Sequence, residues 1–157
     1  MSFLTRPRTI WLAFFLTLTL TAIFGIVMQI WQFQIIDEMW NPAKITAHIE
    51  AMSPVQRKVH AWLTGTVDVL YPFAYTALFL GMAKKYFPGA GWKLYAPIVA
   101  TIPFDLTEGL VQVLALNGYE AVIPVKAVVT PIKLILFTFG LIVFLCAVVR
   151  AMRRSRQ

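Results

Sequence analysis

Three of the seven acidic residues of this 157-residue chain, Asp68, Asp105 and Glu108, lie inside long apolar stretches. Lys133 lies in a further stretch of the same kind. A charged side chain at the centre of a bilayer costs about 2.5 kcal/mol or more, so it usually faces the protein interior and has a partner. Carboxyls close to an ammonium group can hold a cation, exchange protons or serve as general acid and base.

Helical spacing places the polar residues of each stretch on one face. At about 100° per residue, the polar residues of three stretches span arcs of only about 60° to 80°. These residues are His60, Thr64, Asp68, Tyr71 and Tyr75; Thr101, Asp105, Glu108 and Gln112; and Lys126, Thr130 and Lys133. Because polar faces avoid lipid, the three faces are predicted to meet inside the protein.

The charged residues of the three stretches are also predicted to lie at a similar depth in the membrane. With a rise of about 1.5 Å per residue, Asp68, Glu108 and Lys133 each lie about 10 to 13 Å from the outer end of their stretch. Asp105 lies about one turn deeper. Three carboxyls beside one lysine cannot all be charged in a medium of low dielectric constant, so at least one is expected to hold a proton. The sequence thus predicts a ligand-binding or proton-exchanging site formed by Asp68, Asp105, Glu108, Lys133, Tyr71, Tyr75, Gln112 and His60.

A purely structural interpretation of the same residues is a salt bridge from Lys133 to Asp68 or Glu108 that only sets the helix register. The prolines favour a cavity instead. Pro72, Pro103 and Pro131 lie within the same stretches, and each removes a backbone amide from the helix. The resulting kinks and free carbonyls are how membrane helices make room for water or a ligand.

Metal and cofactor chemistry have little support in the sequence. His48 and His60 are the only histidines, and no HExxH-like spacing connects them to a carboxylate. The single cysteine, Cys146, excludes a thiolate cluster and an internal disulfide. Since no glycine-rich phosphate loop or haem motif occurs either, neither a metal nor a cofactor is expected.

The apolar stretches predict the fold. Hydrophobic residues make up 59% of the chain and charged residues 13%, against about 25% charged in soluble proteins. Four stretches, at about 11–31, 60–83, 93–116 and 123–149, reach the roughly 20 residues that a membrane helix needs. We therefore expect a single membrane domain over 1–157, all-α, with four transmembrane helices in an antiparallel bundle.

Charge distribution predicts how the chain is inserted. Nine of the basic residues flank the first span's start, the link between spans two and three, and the end of span four. Only Lys44, Arg57, Lys58 and Lys126 are assigned to the other two loops. By the positive-inside rule both termini are cytoplasmic, in a multi-pass protein of the cytoplasmic (inner) membrane. The net charge of +7 is thereby explained without nucleic acid, and the lipid bilayer is the expected partner of the basic tail.

The first outer loop carries two helix-start signals. Asn41 followed by Pro42 predicts a short helix over about 42–51, with Ile45, Ile49 and Met52 on one face, lying on the outer membrane surface. Ser53 and Gln56 form a capping box that predicts a second helix running directly into span two.

Three functions are compatible with these features. The leading one is a binding or transport-type protein with a pocket open to the non-cytoplasmic side, taking a small cationic or amphiphilic ligand. A homodimer or a larger membrane complex is plausible, since four spans are few for a solitary transporter. The alternatives are a membrane-embedded enzyme acting by acid/base catalysis on a lipid or isoprenoid, and an accessory or assembly subunit of a membrane complex.

Overall fold

The computed structural model describes residues 3–154, and within that range it is helical throughout, without a strand. Six α-helices follow one another along the chain: α1 (Pro7–Trp31), α2 (Pro42–Ala51), α3 (Pro54–Leu63), α4 (Val69–Tyr86), α5 (Trp92–Leu116) and α6 (Ile123–Arg154). A π-helical turn, Thr64–Asp68, joins α3 to α4, and short 3-10 turns precede α1 and α6. Arg156, one of the residues used to predict the orientation, lies outside the described range.

Four segments are long and apolar enough to cross a membrane: Pro7–Trp31, Pro54–Tyr86, Trp92–Leu116 and Glu120–Arg154. Four such helices indicate a multi-pass membrane protein and confirm the predicted number of spans. The second and fourth segments extend beyond the predicted 60–83 and 123–149. They do so because a helix can continue past the apolar core into residues that contact headgroups or water.

The predicted capping signals are present. The amide of Lys44 donates to the Asn41 side chain (3.2 Å) at the start of α2. At the start of α3 the Gln56 amide donates to Ser53 Oγ (3.2 Å), and the Ser53 amide donates to Gln56 Oε1 (2.9 Å). Gln56 also donates through Nε2 to the carbonyls of Trp31 and Gln32, which ties α3 to the end of α1.

The π turn lies just before Pro72. A proline has no amide to donate to the carbonyl four residues earlier, here that of Asp68, and its ring crowds that carbonyl. The backbone of Thr64–Asp68 accommodates this with the wider π turn instead of a break, so α3 and α4 remain one continuous span. Such turns are frequent at functional sites because they redirect side chains.

Two apolar clusters hold the long helices together. One, near the N-terminal end of α1, includes Ala13, Tyr75, Phe79, Ile98 and Val143. The other, at the opposite end of the span, is built by Phe33, Ile36, Ile45, Ile49, Met52, Leu63, Ala115, Leu116 and Ile123. The polar side chains predicted to meet inside the protein lie between these two clusters.

The α2 helix has the predicted bounds, and its apolar face packs against the protein. Its apolar residues Ile45 and Ile49 are 1% and 3% exposed and belong to the second cluster, and α2 contacts α6. Because this face packs against the protein's own helix ends, it is not available to lie on lipid. The α2 helix therefore covers the end of the protein at which α5 ends and α6 begins.

Candidate functional site

Glu108, on α5, is the centre of the buried polar group. Its side chain is 1% exposed, and both of its oxygens are used. Oε1 accepts from Lys126 Nζ and from the Thr130 hydroxyl, while Oε2 pairs with Lys133 Nζ. All three partners lie on α6, so Glu108 joins α5 to α6 through two ammonium groups and one hydroxyl.

Lys126 is the main addition to the site. Helical spacing predicts it on the inward face of the last span, whereas the charge count assigns it to an outer loop. It lies inside α6 and is 1% exposed. The signal was available, since Lys126, Thr130 and Lys133 share one helical face. A lysine stem is long enough to carry its ammonium group from the end of a span to a buried carboxylate. The cluster therefore holds two lysines for three carboxyls.

Asp105 lies one turn before Glu108 on α5 and is partnered on two sides. Tyr75 donates its hydroxyl to Asp105 Oδ2 (2.7 Å), and Lys133 Nζ lies 3.5 Å from Asp105 Oδ1. Lys133 is thus shared between Glu108 and Asp105. This arrangement makes Asp105 a member of the salt-bridge network.

Gln112 extends the network toward the end covered by α2. Its Oε1 accepts from Lys126 Nζ (3.3 Å), and its Nε2 lies 3.0 Å from His60 Nε2 and 3.2 Å from Thr64 Oγ1. His60 is fully buried and stacks on Phe33 with ring centroids 4.9 Å apart. Its Nδ1 has no hydrogen-bond partner among residues 3–154. His60 is therefore a packed element of the network.

Asp68 differs from the other two carboxyls. The prediction considered it as a partner of Lys133, but Lys133 pairs with Glu108 and Asp105. Asp68 takes part in none of the ion pairs or side-chain hydrogen bonds found in the described part of the chain. It is half-buried, and its Oδ2 lies against Gly109, where an added Cβ would be 3.6 Å away.

A cavity of about 390 Å³ adjoins Asp68, which is a size typical of small-molecule sites. Asp68, Asp105 and Lys133 line it together with Tyr71 and Tyr75. Tyr71 shares a hydrogen bond with Thr21 of α1 (3.1 Å). The predicted site residues thus separate into two groups. Five of them contribute to the cavity wall, whereas Glu108, Gln112 and His60 belong to the buried polar network and do not line the cavity.

The cavity also contains residues that the sequence analysis did not assign to a site. From α1 come Thr21, Phe24, Gly25 and Met28, from the loop after it Ile35, Asp37 and Glu38, and from α6 Leu134 and Phe137. Asp37 and Glu38 lie in an irregular segment, which has no helical period from which its orientation could be predicted. Neither residue takes part in the ion pairs among the described residues.

A second cavity of about 220 Å³ reaches the same two aspartates from another side. It lies between the π turn and α5, and Thr64, Gly65, Asp68, Asp105 and Gly109 are part of its wall. Asp68 and Asp105 therefore form the partition between two cavities. Small residues on both helices leave this space open.

No group of three or more His, Cys, Asp or Glu side chains in residues 3–154 is arranged to hold a metal ion. Comparison with protein-family models, curated proteins and solved structures finds no match to the chain. The functional argument therefore depends on the geometry of the cavity and its charges.

Proposed function

We propose that this protein binds a small organic cation with an apolar body in the 390 Å³ cavity. The observation that supports the proposal most directly is Asp68, a carboxyl on the cavity wall that makes no ion pair among the described residues. The charges of the buried cluster also favour a cation. With every group ionised, Asp68, Asp105 and Glu108 carry one more negative charge than Lys126 and Lys133 neutralise, and either a proton on one carboxyl or a bound monocation balances that charge.

The remaining walls suit the rest of such a ligand. Phe24, Tyr71, Tyr75 and Phe137 contribute aromatic surfaces to the cavity. Aromatic rings attract cations over their faces and also pack against apolar groups. Asp37 and Glu38 add negative charge to the same wall, and this would raise the local concentration of cations.

The proposal includes an arrangement in the membrane. The four long helices form an antiparallel bundle, both termini are cytoplasmic, and the cavity faces the non-cytoplasmic half of the cytoplasmic membrane. The contacts between helices support alternating directions: α5 meets α6 through Asp105–Lys133 and Glu108–Lys126, so residue numbers rise on one helix as they fall on the other. A homodimer or a larger complex is compatible with this arrangement.

Binding can be tested with two matched probes, a phenylalkyl trimethylammonium ion and its neutral tert-butyl isostere, titrated into purified protein by isothermal calorimetry. We expect Asp68→Asn to weaken binding of the cation about tenfold or more, since a hydrogen bond or contact to a charged group contributes about 1.5–3 kcal/mol. Binding of the neutral isostere should change little. Glu120→Gln, an exposed carboxyl outside the cavity, is the matched control and should affect neither probe.

Filling the cavity provides an independent variant. An added Cβ at Gly25 meets no atom within 4 Å, so Gly25→Phe can place its ring in the cavity without a backbone clash. It should weaken both probes, whereas Ile26→Phe, at a neighbouring lipid-facing position that is 58% exposed, should weaken neither. The proposal is wrong if wild-type protein binds the two probes equally or if Asp68→Asn leaves cation binding unchanged.

An enzyme acting on a membrane-dissolved lipid or isoprenoid is the second candidate. It is favoured by the unequal surroundings of two carboxyls on one cavity wall: Asp105 is held by Tyr75 and Lys133, whereas Asp68 is not. Such inequality is what separates the acid from the base at a catalytic site. The two candidates are distinguished by incubating the protein with an isoprenoid lipid in D₂O and analysing the lipid by mass spectrometry. Acid/base chemistry at carbon would transfer deuterium to the product, whereas binding alone would leave the lipid unchanged.

A further inference from the structure

Basic residues without acidic partners are concentrated at one end of the protein. Residues 1–36, 69–104 and 121–157 contain no aspartate or glutamate, yet they contain Arg6, Arg8, Lys84, Lys85, Lys93, Arg150, Arg153 and Arg154. None of these eight takes part in an ion pair within the described range. Their charge therefore remains available to an anion.

Ring contacts bring the ends of three helices together at this basic end. Arg150 lies 5.3 Å from the ring of Phe87, Arg154 5.9 Å from that of Tyr86, and Lys84 5.6 Å from that of Tyr95. The Tyr95 hydroxyl donates to the Phe87 carbonyl (2.8 Å), which links the end of α4 to the start of α5.

The N-terminal segment completes the basic end through a close approach at Gly81. A Cβ at this position would lie 2.6 Å from the Leu4 carbonyl oxygen, so only glycine lets the segment before α1 lie directly on α4. The approach holds Arg6 beside Lys84 and Lys85. Together with Thr5, Pro7, Pro88 and Tyr95 these three cations line a cavity of about 630 Å³, here called the basic cavity.

An apolar groove of about 300 Å³ adjoins the basic cavity and shares Pro7 and Lys85 with it. The groove lies between α1, α4 and α6 within the spans, and the rest of its lining is Ile10, Trp11, Phe14, Leu78, Met82, Tyr86, Phe144 and Val148. A site with three cations at one end and an apolar groove at the other has the polarity of a single lipid molecule. Trp11 and Tyr86 are of the residue types that prefer the level between headgroups and acyl chains.

We propose that this composite site binds an anionic phospholipid, with the phosphate in the basic cavity and an acyl chain in the groove. Charge complementarity selects the anionic class, because a zwitterionic lipid brings a cation of its own toward Arg6, Lys84 and Lys85. Continuity of the groove with the cavity selects a lipid over a soluble phosphate. The site is separate from the 390 Å³ cavity and shares no lining residue with it.

The proposal can be tested by native mass spectrometry of the detergent-purified protein. The protein is titrated with phosphatidylglycerol and with phosphatidylcholine that have identical acyl chains. We expect preferential binding of phosphatidylglycerol to the wild-type protein. The triple variant Arg6→Gln/Lys84→Gln/Lys85→Gln should bind it about a hundredfold more weakly, since each cation at a lipid headgroup contributes about fivefold.

The control triple, Arg8→Gln/Lys93→Gln/Arg153→Gln, removes the same number of charges from the same end but lies outside the basic cavity. It should retain most of the affinity. Equal losses in both triples would mean that the basic end attracts lipid by net charge alone, and the proposed site would not exist. If a triple does not fold, Lys84→Gln and Lys93→Gln provide the same comparison one charge at a time.

The groove is tested separately. Val148→Trp fills it and should weaken phosphatidylglycerol binding, whereas Ile142→Trp, at a lipid-facing position of α6 that is 55% exposed, should not. In a last experiment, glycerol 3-phosphate is added as a competitor and should displace phosphatidylglycerol poorly. Competition as effective as that of the intact lipid would assign the cavity to a soluble phosphate, and no effect of Val148→Trp would remove the acyl chain from the proposal.

Discussion

At the residue scale, the buried cluster divides into a structural part and an open part. Glu108 accepts from two lysines and a threonine, which is close to all the hydrogen bonds that one carboxylate can accept. Such a group is costly to disturb and unsuited to taking up a ligand. Asp68 has no comparable partner among the described residues, so the proposed ligand binding depends on Asp68 and on Asp105.

This division predicts unequal effects of substitution. Lys126→Met leaves the buried Glu108 with one ammonium group and should lower the free energy of unfolding by up to about 3–5 kcal/mol. Adding Glu108→Gln should recover part of the loss, with a coupling energy of about 0.5–3 kcal/mol in a double-mutant cycle. Unfolding in mixed micelles by SDS, followed by circular dichroism, measures the four variants.

The same cycle between Lys133 and each aspartate is the internal control. Lys133 and Asp105 should be coupled, whereas Lys133 and Asp68 should show a coupling below about 0.5 kcal/mol. A large coupling to Asp68 would mean that the lysine points to the cavity wall instead of to Asp105. That result would also remove the main support for cation binding.

At the scale of elements, local irregularities shape the second cavity beside Asp68 and the basic cavity at the other end of the protein. The π turn before Pro72 opens the space between Asp68 and α5, where Gly65 and Gly109 keep a second cavity free. Gly81 has the opposite role, because it lets two segments touch. Gly65 and Gly109 contribute to empty space, whereas Gly81 contributes to close packing. Substitutions at these glycines should therefore differ in their effect on stability.

We expect Gly81→Ala to lower the free energy of unfolding by about 1–3 kcal/mol, because the new Cβ must displace the backbone at Leu4. Gly25→Ala is the matched control, since it lies inside α1 with nothing within 4 Å of the added Cβ. It should be neutral or stabilise the helix by up to about 1 kcal/mol. SDS unfolding of both variants measures the difference, and equal effects would contradict the close approach of the N-terminal segment to α4.

At the scale of the whole molecule, the proposed orientation has consequences for solvent access. The Glu50 and Glu120 side chains are exposed at the end of the protein covered by α2, and Ala90 is exposed in the loop at the basic end. With Cys146 replaced by alanine, single cysteines at 50 and 120 should react with a membrane-impermeant maleimide added to intact cells. A cysteine at 90 should react only after the membrane is permeabilised.

The reverse labelling pattern would invert the topology and would place the cation cavity on the cytoplasmic side. The oligomeric state is a separate question at this scale. Recovery of the protein with one fixed partner at constant stoichiometry would favour the accessory-subunit alternative, whereas a ligand-binding protein should purify alone or as a homo-oligomer.

Much of the architecture is encoded locally and could be predicted from the sequence. The spans follow from runs of about 20 apolar residues, and the starts of α2 and α3 follow from Asn41 and from the Ser53–Gln56 capping box. Helical periodicity also predicted that Asp105, Glu108, Gln112 and Lys133 share inward faces. Each of these features depends on neighbours within a few turns, so spacing along the chain contains the necessary information.

The partners of the polar groups depend instead on how distant helices pack. Long lysine stems can reach carboxylates a turn or more away. Only the packed helices therefore reveal that Lys126 pairs with Glu108 and that Lys133 pairs with Glu108 and Asp105 and not with Asp68. The contributions of α1, Asp37 and Glu38 to the cavity arise in the same way, as does the burial of Ile45 and Ile49 against the protein. An apolar face looks the same in sequence whether it meets lipid or another helix, and tertiary packing alone distinguishes the two.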